Sequence, residues 1–358
     1  MRILLRIGVA FVGVLAVAMS SAFVYRAYRQ HENAEAAAIR SPPGVAEERY
    51  VAIGGVEQWV TIRGKDRANP VLLMLDGGPG AATSVFNPSR WEKDFIVVGW
   101  DQPGAARTFG RAGRVIDPAL TIDQVVADGI GLAEYLRAHL HKSSIGLVGT
   151  SWGSVIGVHM IKARPDLFYA YVGTGQVVNL QRGEALNYVH VLAKARAKGD
   201  RDAIEELEQS GPPPYSSDDA FHTQRKWASE YESGALGALA FIRGLLFSPD
   251  YSLVDTFNWI AGFLASQDHF FGRQMNGPAM SIDLPTLGTD IAVPFFIFQG
   301  TEDDYTPFEL ARVYFDSIDA PQKLLVPVPG AGHFCSITHP DELGALLRDR
   351  VRPLATKP

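Results

Sequence analysis

Ser144-Ile145-Gly146-Leu147-Val148-Gly149-Thr150-Ser151-Trp152-Gly153-Ser154-Val155-Ile156-Gly157 decides how the rest of the chain is read. An apolar, strand-like run ends in a serine with glycines two residues before and two residues after it, and a helix-compatible segment follows. That spacing has a steric reason. A serine hydroxyl at the tip of a sharp strand-to-helix turn needs a strained backbone and neighbours without side chains. The bare pattern recurs by chance, so the surrounding chain has to support it.

Upstream, Pro70–Leu75 is a continuous apolar run, as expected of a strand buried on both faces, and it ends in Asp76-Gly77-Gly78-Pro79-Gly80. Phe95–Trp100 is a second such strand, ending in Asp101-Gln102-Pro103-Gly104. Before them, Tyr50–Ile53 and Val56–Ile62 flank Gly54-Gly55 and predict a hairpin. A helix is expected around Ile122–His139, and a strand at Phe168–Gly173. Strands alternating with helices predict an α/β fold with a mostly parallel sheet covered on both faces.

The alternation stops near residue 179. Helical segments are expected at Glu184–Lys198, Arg201–Gln209, Ala220–Glu232, Leu236–Phe247 and Leu253–Leu264, interrupted by Pro212-Pro213-Pro214. Residues 179–288 therefore read as a helical cap inserted between a first core part, 41–178, and a second, 289–358. Strand character returns at Val293–Phe298 and Lys323–Val328, and a helix over Pro340–Val351 closes the chain.

Residues 1–40 stand apart. Arg2 and Arg6 precede an uncharged run from Ile7 to Tyr25, close to the ~20 residues that span a bilayer. The charged start, apolar middle and small-residue end also suit a secretory signal. The expectation is a single-pass N-terminal anchor with the rest exported; cleavage and release to the periplasm or extracellular space is the alternative. An Ala- and Glu-rich helical extension and the Ser41-Pro42-Pro43-Gly44 break follow.

Composition narrows the classes. With 358 residues, 47% hydrophobic and 20% charged, the chain is globular and large enough for a substantial core. The net charge of −6 becomes −9 once residues 1–40 are set aside, which argues against a nucleic-acid partner. The single cysteine, Cys335, excludes an internal disulfide and a cysteine-based zinc site.

A serine becomes nucleophilic when a histidine takes its proton and a carboxylate holds that histidine. In parallel sheets such groups sit on loops after strand carboxyl ends. Gly300-Thr301-Glu302-Asp303-Asp304 and Gly330-Ala331-Gly332-His333 follow the two late strands, giving the order serine, acid, histidine. His333 is the expected base, because His139, His141 and His190 fall in helical segments and His31 lies outside the domain. Glu302, Asp303 and Asp304 all remain open as the acid. Backbone N–H groups of Gly77, Gly78 and Trp152 are candidates for an oxyanion hole.

Taken together, Asp76–Gly80, Asp101–Thr108, Gly149–Ser154 and Gly300–Pro307 resemble the proline iminopeptidase group of α/β-hydrolases, over residues 50–350. The resemblance implies Asp303 as the acid, Gly78 and Trp152 as the oxyanion donors with Gly77 in reserve, and no metal or organic cofactor. It also implies an acidic cap residue for the substrate's free amine. Trp227-Ala228-Ser229-Glu230-Tyr231-Glu232 supplies Glu232, with Glu230 in reserve. Asp76, Pro103, Ala106 and Ser154 depart from the group's usual His, Arg, Gly and Gly. The cap aromatics Phe257, Trp259, Phe263, Phe270 and Phe271 read as cap core or as the lining of a pocket for a proline ring. The implied activity is removal of an N-terminal residue, proline preferred, from small peptides. The alternatives are an esterase or amide hydrolase using the same triad, and a catalytically silent binding scaffold. Oligomeric state is not legible.

Overall fold

A computed structural model describes residues 2–82, 90–232 and 242–356, with side chains from residue 11 onward. Eight strands form one sheet: β1 (Val45–Ile53), β2 (Val56–Gly64), β3 (Val71–Leu75), β4 (Ile96–Trp100), β5 (Ile145–Thr150), β6 (Phe168–Thr174), β7 (Phe295–Gly300) and β8 (Lys323–Val328). Their spatial order is β1-β2-β4-β3-β5-β6-β7-β8. The β1/β2 hairpin turns at Gly54-Gly55 and β2 runs antiparallel to β4, while every later pairing is parallel.

Side-chain alternation divides the core into two layers. Val71, Leu73 and Leu75 of β3 face one cluster with α3 (Ile122–Leu140), α4 (Trp152–Ala163) and α9 (Phe308–Ser317). Leu72 and Met74 face the opposite cluster, where Leu343 and Leu346 of α10 (Pro340–Leu346) and the continuing turn Leu347–Val351 close the sheet. Both faces are covered, so β3, β4, β6 and β7 are buried at every position. Each fully buried Leu, Ile, Val or Phe contributes about 1.5–3 kcal/mol.

The insert between β6 and β7 holds α5 (Leu180–Lys198), α6 (Arg201–Ser210), α7 (Asp218–Glu232), helical residues 242–247 and α8 (Leu253–Phe271). Asn179 caps α5 by accepting from the Arg182 N–H, and Ser252 and Asp255 form a capping box on α8. Residues 236–241 of the expected fourth helix lie outside the described residues. The short α2 (Ala106–Arg111) packs against α8.

Most element boundaries match the sequence reading within a few residues. β1 begins at Val45, five residues before the expected Tyr50, because Arg49 to Val45 keep pairing with β2 as far as Gly64. The closing helix is α-helical only to Leu346 and continues as a wider π turn over Leu347–Val351. At the other end, α1 (Arg2–Ala36) is one unbroken helix, about 50 Å long at 1.5 Å per residue. Its stretch Phe11–Ala36 is long and apolar enough to cross a membrane.

Candidate active site

The carboxyl ends of β3, β5, β7 and β8 bring the site together. β5 ends at Thr150, and Ser151 follows with φ 52° and ψ −119°, a conformation L-residues avoid. Two close approaches explain the flanking glycines. A Cβ on Gly149 would lie 2.6 Å from the Gly153 carbonyl oxygen, and one on Gly153 only 1.9 Å from the Leu75 carbonyl oxygen of β3. The Ser151 N–H donates to the Thr174 carbonyl at the end of β6, which fixes the turn from the neighbouring strand.

His333, after β8, is buried, and its ring packs on Gly175, where an added Cβ would come within 2.8 Å of Cε1. Gly175 follows Thr174, so one turn holds the Ser151 backbone and the His333 ring together. Nδ1 of His333 lies 3.1 Å from both carboxylate oxygens of Asp303. Asp303 is held from other sides as well: it accepts from the Thr306 N–H at 2.8 Å, the Thr306 hydroxyl at 2.6 Å and Gln299 Nε2 at 2.8 Å. Of the three adjacent carboxylates after β7, Asp303 alone meets His333. Glu302 is exposed, and Asp304 turns away to Lys194 and His190 on α5.

The loop after β3 closes over the same point. The Gly77 α-carbon faces Ser151, so that an added Cβ would stand 3.2 Å from Ser151 Cβ. Gln102 donates to the Asp76 carbonyl at 3.2 Å and accepts from the Trp152 indole at 3.3 Å, tying this loop to the start of α4. Trp152 opens that helix, so its N–H has no acceptor within it. Gly78, with φ 111°, completes the Gly77–Gly80 turn. Asp101, beneath this loop, is wholly buried; loss of water, with the Asp76 charge nearby, pushes its carboxyl up to about 8 against the opposing Arg107 backbone hydrogen bond.

Glu232, the last residue of α7, reaches into the site. One carboxylate oxygen accepts from the His333 N–H, while Oε2 is buried and has no hydrogen-bond partner among the described residues. Burial first, then the Asp303 and Asp304 charges, hold the Glu232 carboxyl well above the usual range. Glu230 is exposed and lines a surface cleft with Lys198, Asp200 and Lys226. The aromatic expectations divide. Trp259 and Phe270 are buried, and Phe270 packs on Trp152 with ring centroids 4.8 Å apart. Phe257 points outward to the surface.

Several contributors carry no signal in the sequence. Gln299, inside β7, links Asp303 to the Gln176 N–H. Ser154, read only as a departure from a glycine, donates to the Ser151 carbonyl at 2.6 Å and accepts from the Val177 N–H at 3.0 Å. Cys335 lies buried under the site with its thiol pushed up to about 12 by burial. Among the described residues no group of three or more His, Cys, Asp or Glu is arranged to hold a metal.

A mostly parallel eight-stranded sheet, a serine on the strained turn after β5 and a large insert after β6 give the chain the α/β-hydrolase fold. In sequence the chain is similar to a probable aminopeptidase and to a proline iminopeptidase, although no family model matches it. It is 29% identical over 304 residues to the probable aminopeptidase YbaC of Bacillus subtilis, covering 83% of this chain and 93% of that protein. Its fold matches the proline iminopeptidase of Mycobacterium smegmatis with a TM-score of 0.64 and 17% identity, over 86% of this chain and 99% of that one. A bacterial membrane phospholipase A matches with a TM-score of 0.59 and 16% identity over 98% of this chain and 99% of that one.

Proposed function

We propose that this chain is a membrane-anchored serine hydrolase that removes N-terminal residues, proline preferred, from small peptides. Ser151 attacks the substrate carbonyl, His333 takes the hydroxyl proton through Nε2 and returns it to the leaving amine, and Asp303 orients His333 through Nδ1. The N–H groups of Gly78 and Trp152 receive the oxyanion. Water, deprotonated by His333, then releases the acyl group and restores Ser151. Glu232 holds the substrate's free ammonium and so sets the register, one residue from the amino end.

One observation supports the peptidase reading: a buried carboxylate oxygen without a hydrogen-bond partner among the described residues, on a residue bonded to the backbone of His333 itself. A carboxyl so placed is costly unless a cation joins it. Similarity to a probable aminopeptidase over most of both chains supports the same reading. Anchoring is supported by α1, apolar over Phe11–Tyr25, and by the fold match to a membrane protein over nearly the whole chain.

The test is a prolyl anilide assayed beside a p-nitrophenyl ester, with wild type and Glu232→Gln. The peptidase reading expects turnover of the anilide and its selective loss in the variant. Turnover of the ester alone, unchanged by Glu232→Gln, makes the chain an esterase. Failure of Ser151 to react with a fluorophosphonate probe removes the serine mechanism altogether.

A further inference from the structure

Helix α8 is built inside out. Toward the core it buries Thr256, Asn258, Gly262 and Ser266 along with Trp259 and Phe270. Asn258 accepts from Arg114 at 2.7 Å, and Ser266 donates to the Gly104 carbonyl at 3.1 Å. Outward it shows Leu253, Val254, Phe257, Ile260 and Leu264, each 44–61% exposed. Leu253, Phe257, Ile260 and Leu264 recur every three to four residues and form one stripe along the helix, with Val254 beside it. Ile242 and Leu246, in the helical residues just before, add to the exposed apolar surface. A helix facing water carries the opposite pattern, and a contiguous apolar patch of this kind marks a contact surface.

What covers it follows from where α1 meets the fold. The uncharged run of α1 ends at Arg26, whose guanidinium donates to the carbonyls of Leu246 at 3.0 Å and Tyr251 at 2.8 Å. One turn on, Gln30 donates to the carbonyls of Ser248 at 2.6 Å and Tyr251 at 2.8 Å, and Asn33 to that of Phe247 at 2.8 Å. The edge of Tyr25 meets the ring of Phe247, with centroids 5.7 Å apart. The segment 246–251 is thus held where the apolar span gives way to polar side chains, and α8 starts two residues later. α1 leaves the stripe uncovered, since Phe11, Val14, Val17, Phe23 and Val24 are themselves exposed.

We infer that the outer face of α8 is a lipid-contacting surface that seats the insert on the bilayer in which α1 is embedded. The inference rests on the anchoring reading above: with α1 in a membrane, the first turn of α8 lies at the lipid–water boundary, where an apolar stripe is stable and a water-facing one is not. Arg114, stacked 5.6 Å over the Phe257 ring, and exposed Arg243 supply cations at the level of lipid phosphates. The inner face of α8 lies on the Gly77–Gly80 loop, where a Cβ on Gly80 would meet Ser266 Cβ at 2.8 Å. Substrate reaching Ser151 therefore does so about one helix diameter, ~10 Å, from lipid.

The experiment uses the full chain in phosphatidylcholine–phosphatidylglycerol vesicles. Phe257→Cys and Leu264→Cys are each labelled with a polarity-sensitive fluorophore, Glu208→Cys on exposed α6 serves as the water-facing control, and the unsubstituted chain reports any labelling of buried Cys335. The expected result is blue-shifted emission at positions 257 and 264, quenched severalfold by lipids carrying a shallow nitroxide, with the 208 label unaffected. If the chain resists alkaline extraction but the 257 and 264 labels match the 208 label, this inference falls and the anchoring stands. Protection from water without nitroxide quenching, together with cross-linking between the introduced thiols of two chains, assigns the face to a second copy and overturns it. Extraction of the chain by alkali removes the anchoring reading and this inference with it.

Discussion

The sheet edge and the helical insert handle buried polar groups in opposite ways. At the edge, Asp303 has every lone-pair direction used, by Thr306, Gln299 and His333. In the insert, buried polar atoms without a hydrogen-bond partner among the described residues gather on two helices: Asn187 Oδ1 of α5, and Gln224 Oε1 and Nε2, Arg225 Nη1 and Glu232 Oε2 of α7. An ion pair between Glu184 and Arg225 lies among them. A satisfied network holds one geometry, whereas unmet groups at close quarters are costly until something binds them. The edge is settled as it stands, whereas the insert keeps buried polar groups unmet.

The largest expected effect breaks the edge at its centre. Ser151→Ala should lower turnover by about 10⁴-fold or more while leaving the melting temperature close to wild type. An enzyme that keeps a tenth of its activity would place the nucleophile elsewhere. Asp303→Asn comes next. It keeps the Thr306 and Gln299 contacts in part but presents the wrong partner to His333 Nδ1, and a loss of about 10²- to 10⁴-fold in kcat is expected, with KM little changed. Gly153→Ala tests the turn itself. Its Cβ would collide with a backbone carbonyl rather than a movable side chain, so urea denaturation should show a loss of about 3 kcal/mol. A neutral result would mean that the approach of α4 to β3 is looser than described.

The same contrast explains what was legible in the sequence. The edge is governed by sterics that leave a trace: glycines at −2 and +2 from Ser151, buried strands as continuous apolar runs, His333 and Asp303 directly after late strands. Gln299 and Thr306 leave none, because a polar residue at a strand end reads the same whether it faces solvent or a carboxylate. The insert is less legible for a different reason. Periodicity over Leu253–Leu264 says which residues share a face, but not whether that face points to the core or away from it. Phe257 and Trp259 are two residues apart and carry similar sequence signals, yet one is 57% exposed and the other 3%. Glu232 and Glu230 were likewise separable only by geometry, one against His333 and the other on an outer cleft.

The finest test of the comparison is the proton on Glu232. Its folded-state carboxyl is raised above the ordinary value by burial and by Asp303 and Asp304. At neutral pH the folded chain therefore holds a proton that the unfolded chain has released, so stability falls as pH rises through this range, by at most about 1.4 kcal/mol per pH unit. Glu232→Gln keeps an acceptor for the His333 N–H and removes the titration. The variant should match wild type near pH 4, where both states are protonated, and draw steadily ahead of it as pH rises toward 8, by at most about 1.4 kcal/mol for each pH unit. Binding of an ammonium substrate works in the opposite direction, since it requires the ionised carboxylate and expels the proton. For wild type, KM for a prolyl substrate should then fall with rising pH, by up to about tenfold per unit while the substrate amine stays charged. For Glu232→Gln, KM should be higher by about ten- to a hundredfold and flat with pH. A wild-type KM that is itself flat over this range, together with no stability gain in the variant, would mean that Glu232 is already ionised in the empty site. The insert would then resemble the edge, with its charges settled before any ligand arrives.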